Sequence, residues 1–430
     1  MNIKINILLF VIFFASVNTT AQIVNVGELT ILPETLFSSK FNFDNSASGT
    51  LLNDGELIFF SDFNNDGFLL FTDSLNSYAK FTGNKNQKIT GTSPAEFTKF
   101  NNVIFDNSSK QPAFEVSGNI SISGSSDFKR GIVNTSKTGG SIVYEIDATH
   151  FNADNESHIE GYVEKIGKND FIYPIGDKSY YRWAKIVPTK ASIKTSVIGK
   201  YFFENSNLLY SHSSKVGNLD RIDEKQYWEI VNYSGDTEIM ITLPWDQQTT
   251  SDFIWKDLKN SQTNEEIITI VRWDKDQKLW VDEGGVAEIG GNEPQSGTVT
   301  TFSQVSGFGI FALARTKKST KNDGYVFVYN AVSPNNDGKN DYFNIDGIQN
   351  HPNNKVTIYN RWGAKIFETR NYNSQGNIFN GYAQSQGRSA SNNDNKLPTG
   401  TYFYVLNYEL KIGNTSRNVE KVGYLYLSDN

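Results

Sequence analysis

Apolar residues in this chain recur in short alternating runs, broken again and again by Asn, Asp and Gly. A spacing of two is the period of a half-buried strand, and the breakers supply its turns. Asn53-Asp54-Gly55-Glu56-Leu57-Ile58-Phe59 reads against Asn65-Asp66-Gly67-Phe68-Leu69-Leu70-Phe71 at an offset of 12 residues. Each copy is an Asx-Gly turn followed by an apolar strand. Further short strands fit 103–105, 114–116 and 120–122, punctuated by Gly83, Gly91, Gly118, Gly124 and Gly131. Short strands joined by Gly/Asn corners fit a parallel β-solenoid or a meander of hairpins. The lack of longer alternating strands favours the solenoid over 22–160, with no rung length readable from so loose a repeat.

The pattern changes after residue 160. Trp183, Trp228, Trp245, Trp255, Trp273 and Trp280 all fall in 161–315, beside strand patterns at 227–231, 238–243, 267–273 and 308–314. Residues 270–273 and 279–281, joined by 274–278, read as a hairpin. One or two β-sandwich modules are expected here. The stretch 316–324 is a polar, charged linker. Residues 325–430 form a last small sandwich, with strands at 325–329, 355–359, 364–368, 400–410 and 423–427 and a long polar loop over 371–396. The expected fold class is all-β and multidomain.

Composition supports this reading and narrows the chemistry. Phe and Tyr number 30 and 21 against 2 Met, and 34 Gly accompany 48 Asn, which suits many strands and turns rather than helices. Absence of cysteine excludes disulfides, thiolate catalysis and Cys-ligated zinc or iron–sulfur sites. A net charge of −7 gives no electrostatic reason to bind nucleic acid. The opening segment has Lys4, an apolar run over 7–14, then Thr19-Thr20-Ala21. That is the pattern of a signal peptide, 1–21, cut after Ala21. Its apolar run is far short of the ~20 residues a spanning helix needs, and no second such run follows. The mature chain is expected to have no transmembrane segment.

Candidate sites are few. Asp62, Asn64, Asp66 and Asp73, with Gly67 for the bend, have the spacing of an EF-hand-like calcium loop, although Asp stands where the bidentate Glu belongs. A solenoid corner accounts for the same residues, and calcium is the only cofactor the sequence raises. Ser333-x-Asn335-x-Asp337-Gly338 is a weaker version, read as a turn. His150, His158, His212 and His351 are too dispersed to read as a zinc motif, and no nucleophile elbow or phosphate-binding loop occurs. Carboxylate pairs such as Asp223-Glu224 and Glu265-Glu266 read as solvated strand ends. Trp245, Trp255, Trp273 and Trp280 could stack on sugars if exposed, the competing reading being a sandwich core. Asp73-Ser74-Leu75 resembles the Asp-Ser/Thr-aliphatic acceptor of Bacteroidota O-glycosylation.

The last unit carries three ordered motifs. They are Ser333-Pro334-Asn335-Asn336-Asp337-Gly338-Lys339-Asn340-Asp341, Ile358-Tyr359-Asn360-Arg361-Trp362-Gly363, and Leu397-Pro398-Thr399-Gly400-Thr401-Tyr402-Phe403-Tyr404. With Asn371-Tyr372 between the last two, this unit resembles the gliding-motility-associated C-terminal domain, the type B sorting domain of the type IX secretion system of Bacteroidota. It departs from that pattern in having Phe379-Asn380-Gly381 where the family has Trp-x-Gly, and in ending Ser428-Asp429-Asn430 after 423–427. The resemblance implies an Ig-like β-sandwich that sorts its cargo. It also implies the type IX translocon as partner, with a PorP/SprF-like outer-membrane protein, and a secreted or cell-surface location. Read from the residues alone, Pro334 to Gly338 is an Asx turn, Arg361-Trp362-Gly363 a hairpin corner whose Trp lies on the sheet, and Gly400 the start of a strand with Tyr402 and Tyr404 on one face.

These readings favour a secreted cell-surface protein with an adhesin-like binding or structural passenger. Its ligand would be a surface glycan or a host or neighbouring-cell surface. A polysaccharide-acting hydrolase, or an accessory component of the gliding or secretion apparatus, is the alternative.

Overall fold

The computed structural model describes residues 21–72, 76–217, 219–256, 266–290, 295–301, 304–317, 326–336, 338, 340–374, 376–384, 395–412 and 415–428. Strands take 54% of the chain and helices 3%, so it is all-β, and it opens on a β-solenoid of about six turns. The segment read as a signal peptide lies outside the described residues, apart from Ala21. Two compact units are separated between Gly140 and Ser141.

Three strands make each solenoid turn. β1 (Gln22–Asn25), β2 (Glu28–Ile31) and β3 (Leu36–Ser39) are followed by β4 (Asn42–Asn45), β5 (Thr50–Asn53) and β6 (Glu56–Phe59). Next come β7 (Phe63–Asn65), β8 (Phe68–Leu70) and β9 (Tyr78–Gly83). Each strand pairs in parallel with the one a full turn later, as β1–β4–β7, β2–β5–β8 and β3–β6–β9. The winding continues through β10 (Gln87–Thr90), β11 (Thr98–Phe100), β12 (Asn102–Asn107), β13 (Phe114–Val116), β14 (Asn119–Ile122), β15 (Ser125–Arg130) and β16 (Val133–Asn134).

The 12-residue repeat is a repeat of corners, not of turns. Asn53 ends β5 and Asn65 ends β7, two different corners of the solenoid. Stacked positions are farther apart in sequence, 20 residues for Asn25 and Asn45 and 26 for Asn64 and Thr90. The glycines of the repeat are also required for a reason other than positive φ. A methyl group on Gly55 would lie 2.4 Å from the Thr35 carbonyl oxygen, and one on Gly67 2.2 Å from that of Gly49. Successive turns approach so closely at these corners that only glycine fits.

Alternation along each strand sends one residue inward and the next outward. Inward residues Phe43, Leu51, Leu57, Phe59 and Phe63 are buried. Identical residues then stack from turn to turn. Phe59, Phe81, Phe105 and Phe128 form a column with successive ring separations of 5.4, 6.1 and 5.6 Å, each contact worth about 0.5–1.5 kcal/mol beyond its buried area. At one corner the Asn25 amide donates to Asn45 Oδ1 at 2.8 Å, Asn45 to Asn65 Oδ1 at 2.7 Å, and Asn65 to Thr98 Oγ1 at 2.9 Å. A buried amide must find partners, and a ladder of like side chains supplies one above and one below.

In the second unit the pairing turns antiparallel. Ser141–Tyr144 and Val163–Ile166 are parallel, but Val163–Ile166 then pairs antiparallel with Ser196–Phe202. That sheet continues through Tyr227–Ser234, Gly309–Lys317, Glu266–Asp274 and Leu279–Gly284. A second antiparallel sheet holds Phe171–Tyr173, Ala184–Lys190, Glu238–Asp246, Ser296–Thr300 and Val286–Ile289. Thr316 and Lys317, read from sequence as the start of a linker, close the strand Gly309–Lys317, with Thr316 paired to Leu219 and Ile267. Residues 318–325 lie outside the described residues.

Trp228, Trp245 and Trp280 are fully enclosed. Trp228 Nε1 donates to the Arg182 carbonyl at 3.0 Å and Trp280 Nε1 to that of Tyr210 at 3.1 Å. Trp245 and Trp280 are thus core residues rather than sugar platforms. Trp255 and Trp273 are half-buried, and Trp273 packs against Tyr210 and Trp280.

Candidate functional site

The C-terminal unit has its own core, running from Val326 to Leu427. Its main sheet places Lys355–Tyr359 between Lys365–Arg370 and Gly400–Ile412, which pairs in turn with Thr415–Leu427. Ala331 and Val332 close the far edge in parallel with Tyr426 and Leu427.

The first motif is a loop clamped by one carboxylate. Asp341 Oδ1 accepts from the Asn336 N–H at 2.6 Å and Oδ2 from the Gly338 N–H at 2.9 Å, while the Ser333 N–H donates to the Asn340 carbonyl at 2.7 Å. Asn336, Gly338 and Asn340 have φ of 59°, 84° and 55°. Asn and Gly are the residues that tolerate this left-handed backbone, which accounts for the Asn-x-Gly-x-Asn spacing. Asn335 is exposed, and Asp337 lies outside the described residues.

The second motif is the corner between Lys355–Tyr359 and Lys365–Arg370. Asn360 Oδ1 accepts from the N–H groups of Trp362 at 3.0 Å and Ala364 at 2.9 Å, and Gly363 takes a φ of 77°. The Arg361 guanidinium lies 4.3 Å from the centre of the Trp362 ring. Here the structure corrects the sequence reading: Trp362 is 75% exposed and does not lie buried on the sheet. Trp362 sits in the corner between the two strands, and among the described residues its ring contact is Arg361. Trp362→Ala should therefore change unfolding stability by less than about 0.5 kcal/mol, as surface substitutions do. Denaturant titration of the variant checks this; a loss of several kcal/mol would restore the buried reading.

The third motif starts the long strand. Gly400 has a φ of 155°, Thr401 is exposed, and Tyr402 and Tyr404 face the core. The Tyr402 hydroxyl donates to the Pro398 carbonyl at 2.7 Å. Burial pushes the Tyr404 hydroxyl well above the usual tyrosine range. Opposite it stands Gly423, where a methyl group would lie 2.6 Å from the Tyr404 oxygen. A glycine inside a strand signals such close approach, and sequence reading passed over this one.

The motifs converge. Asn371-Tyr372 places a buried tyrosine whose hydroxyl donates to the Phe343 carbonyl at 2.6 Å and accepts from the Phe379 N–H at 2.9 Å. Phe379, standing where the resembled family has Trp, is fully buried against Phe367. A methyl on Gly381 would sit 3.1 Å from Leu427 and 3.2 Å from Pro334, so that glycine, the first motif and the last strand meet at one point.

The outer face of this sheet is aromatic. Phe403 pairs with both Tyr359 and Tyr424, and Thr401 with Tyr426. Phe403, Tyr424 and Tyr426 are each about half exposed. Beside them Glu368 is held below the usual carboxylate range by hydrogen bonds from Lys365 and Lys355.

The residues of the calcium reading lie elsewhere. Asn64 lies on β7, Asp62 just before it and Asp66 with Gly67 in the bend that follows, and Asn64 donates to Asp66 Oδ2 at 2.9 Å. They bond to neighbouring turns: Asp62 Oδ1 accepts from the Lys88 N–H, Asn64 donates to Asp44, and Asp66 Oδ1 accepts from the Thr92 N–H. Asp73 and the Asp73-Ser74-Leu75 motif lie outside the described residues. Among the described residues no three His, Asp or Glu side chains converge as metal ligands, and no helix is long and apolar enough to cross a membrane.

No curated protein and no solved structure matches the chain. Its C-terminal residues 326–427 match the family model described as the CHU_C type IX secretion signal domain, which spans the core and the three motifs above; the chain therefore carries that domain and has the mark of a protein exported by the type IX secretion system.

Proposed function

We propose that this is a cell-surface protein whose solenoid and sandwich modules are an adhesin-like binding or structural passenger, delivered to the outer face of the outer membrane. The observation that carries the reading is the type IX secretion signal domain at 326–427 joined to a chain that begins as a stacked β-solenoid. Such a solenoid presents long flat faces with side chains in rows, a form suited to extended binding surfaces. One row here is Asp44, Asn64 and Thr90, linked by hydrogen bonds of 2.8 Å.

In this reading the sorting domain docks through its aromatic outer face: Phe403, Tyr424, Tyr426 and the projecting Trp362 with Arg361. A PorP/SprF-like outer-membrane protein is the expected partner. Exposed aromatics with a stacked arginine are the side chains that most often anchor protein interfaces.

Purified residues 22–324, which keep the strand Gly309–Lys317 whole, applied to a panel of cell-surface polysaccharides and to whole cells, test the passenger. Saturable retention without release of new reducing ends is expected. Release of reducing ends would replace the adhesin reading with that of a hydrolase.

A further inference from the structure

The first turn of the solenoid ends in three open strand edges. Among the described residues β1 pairs only with β4, β2 only with β5 and β3 only with β6, so each leaves one edge without a ladder partner. Natural sheets blunt such edges with Lys, Pro or a bulge. These strands read QIVN, ELTI and LFSS; none contains Lys or Pro, and Glu28 is their only charge.

The core is open at the same place. Ile23, Leu29 and Phe37 stack on Phe43, Leu51 and Leu57, which are fully buried, yet all three remain partly exposed. Val24, Val26, Leu32, Leu36 and Phe41, in this turn and its corners, are all exposed large apolar residues. The amide ladder also stops short. Asn45 and Asn65 each accept on Oδ1 from the asparagine of the preceding turn, whereas among the described residues Asn25 Oδ1 accepts only from the Gly27 N–H at 3.4 Å.

We propose that this first turn is an interface with a second copy of the chain, joined end to end. One peptide strand would cover a single edge; another solenoid end covers all three edges and the core between them at once. The first turn has three strands of four residues each, so a two-fold axis through any one face pairs every edge antiparallel with an edge of equal length. Contact of an end with itself is isologous and closes at two copies, so it gives a dimer and not a fibre.

Light scattering during size-exclusion chromatography of residues 22–430, with the expected mature N-terminus, tests this. The expected mass is twice that of the chain, with β1, β2 and β3 amides protected from hydrogen exchange. Val24→Lys combined with Thr30→Lys places charges at exposed, outward-facing edge positions, where like charges would oppose each other across the axis. That variant should run as a folded monomer with an unchanged circular-dichroism spectrum and fast exchange at the three edges. A wild-type monomer at the highest soluble concentration overturns the proposal, as does a dimer that survives both substitutions.

Discussion

Cells producing residues 1–324 should keep the truncated protein in the periplasm, folded, with surface signal falling to background. The signal peptide expected at 1–21 would deliver the chain only across the inner membrane, so a further address would be needed to reach the outside. The residues that match the type IX secretion signal domain, 326–427, are also those that build the separate C-terminal core. Cutting at 324 removes that core whole. The preceding strand, Gly309–Lys317, stays with its own partners at Leu219–Ile222, Tyr227–Ser234 and Glu266–Asp274. Loss of export would then report a missing address rather than a collapsed passenger. Labelling with a membrane-impermeant reagent, alongside periplasmic fractionation, reads the outcome. Normal surface levels of the truncated chain would show that the C-terminal domain is dispensable for export here.

Asp223→Ala should destabilise the middle module by about 3 kcal/mol or more, the cost of leaving several buried donors without an acceptor. Asp223 is fully buried. Its Oδ1 accepts from the Ser251 hydroxyl at 2.7 Å, the Lys225 N–H at 3.0 Å and the Ser251 N–H at 3.1 Å, and Oδ2 accepts from Gln226 Nε2 at 3.2 Å. Gln226 extends the network to Thr250 and to the Tyr201 hydroxyl. Burial outweighs the donors Ser251, Lys225 and Gln226 and pushes the Asp223 pKa up from 3.8 to about 6. Between those values the folded state holds the proton more tightly than the unfolded chain. The contribution of Asp223 to stability is therefore greatest below about pH 4, declines by roughly 2–3 kcal/mol as pH rises to 6, and is level above that. The difference in unfolding free energy between wild type and Asp223→Asn isolates this slope from other carboxylates. Urea titrations at pH 4 to 7, followed by fluorescence of the buried Trp228, Trp245 and Trp280, should show it. A difference independent of pH would mean that Asp223 keeps an ordinary pKa.

Much of the architecture is legible in the residues because it is local. Alternation of apolar and polar positions sets strand faces, and Asn and Gly mark corners, so all-β character and a solenoid beginning at residue 22 follow without tertiary knowledge. The sorting motifs are legible for a similar reason: Asn336, Gly338 and Asn340 meet backbone demands within their own loop, and Asp341 clamps that loop from its end. What the sequence could not supply is which distant residues meet. The 12-residue repeat pointed to neighbouring corners, while stacking joins residues 20 to 26 apart, because loops of unequal length are inserted between the strands of successive turns. Asn25, Asn45 and Asn65 are evenly spaced, yet they become a ladder only when the winding sets them one above another. Trp362 is exposed in the corner between two strands, a matter of where those strands end. Asp223, read as a solvated strand end, is a buried hub because Ser251 and Thr250, far along the chain, fold over it. Residue type and spacing determined the kinds of element and the sorting domain; the partners of each buried polar group and the exposure of each aromatic were decided only by tertiary packing, since burial depends on what the rest of the chain places alongside.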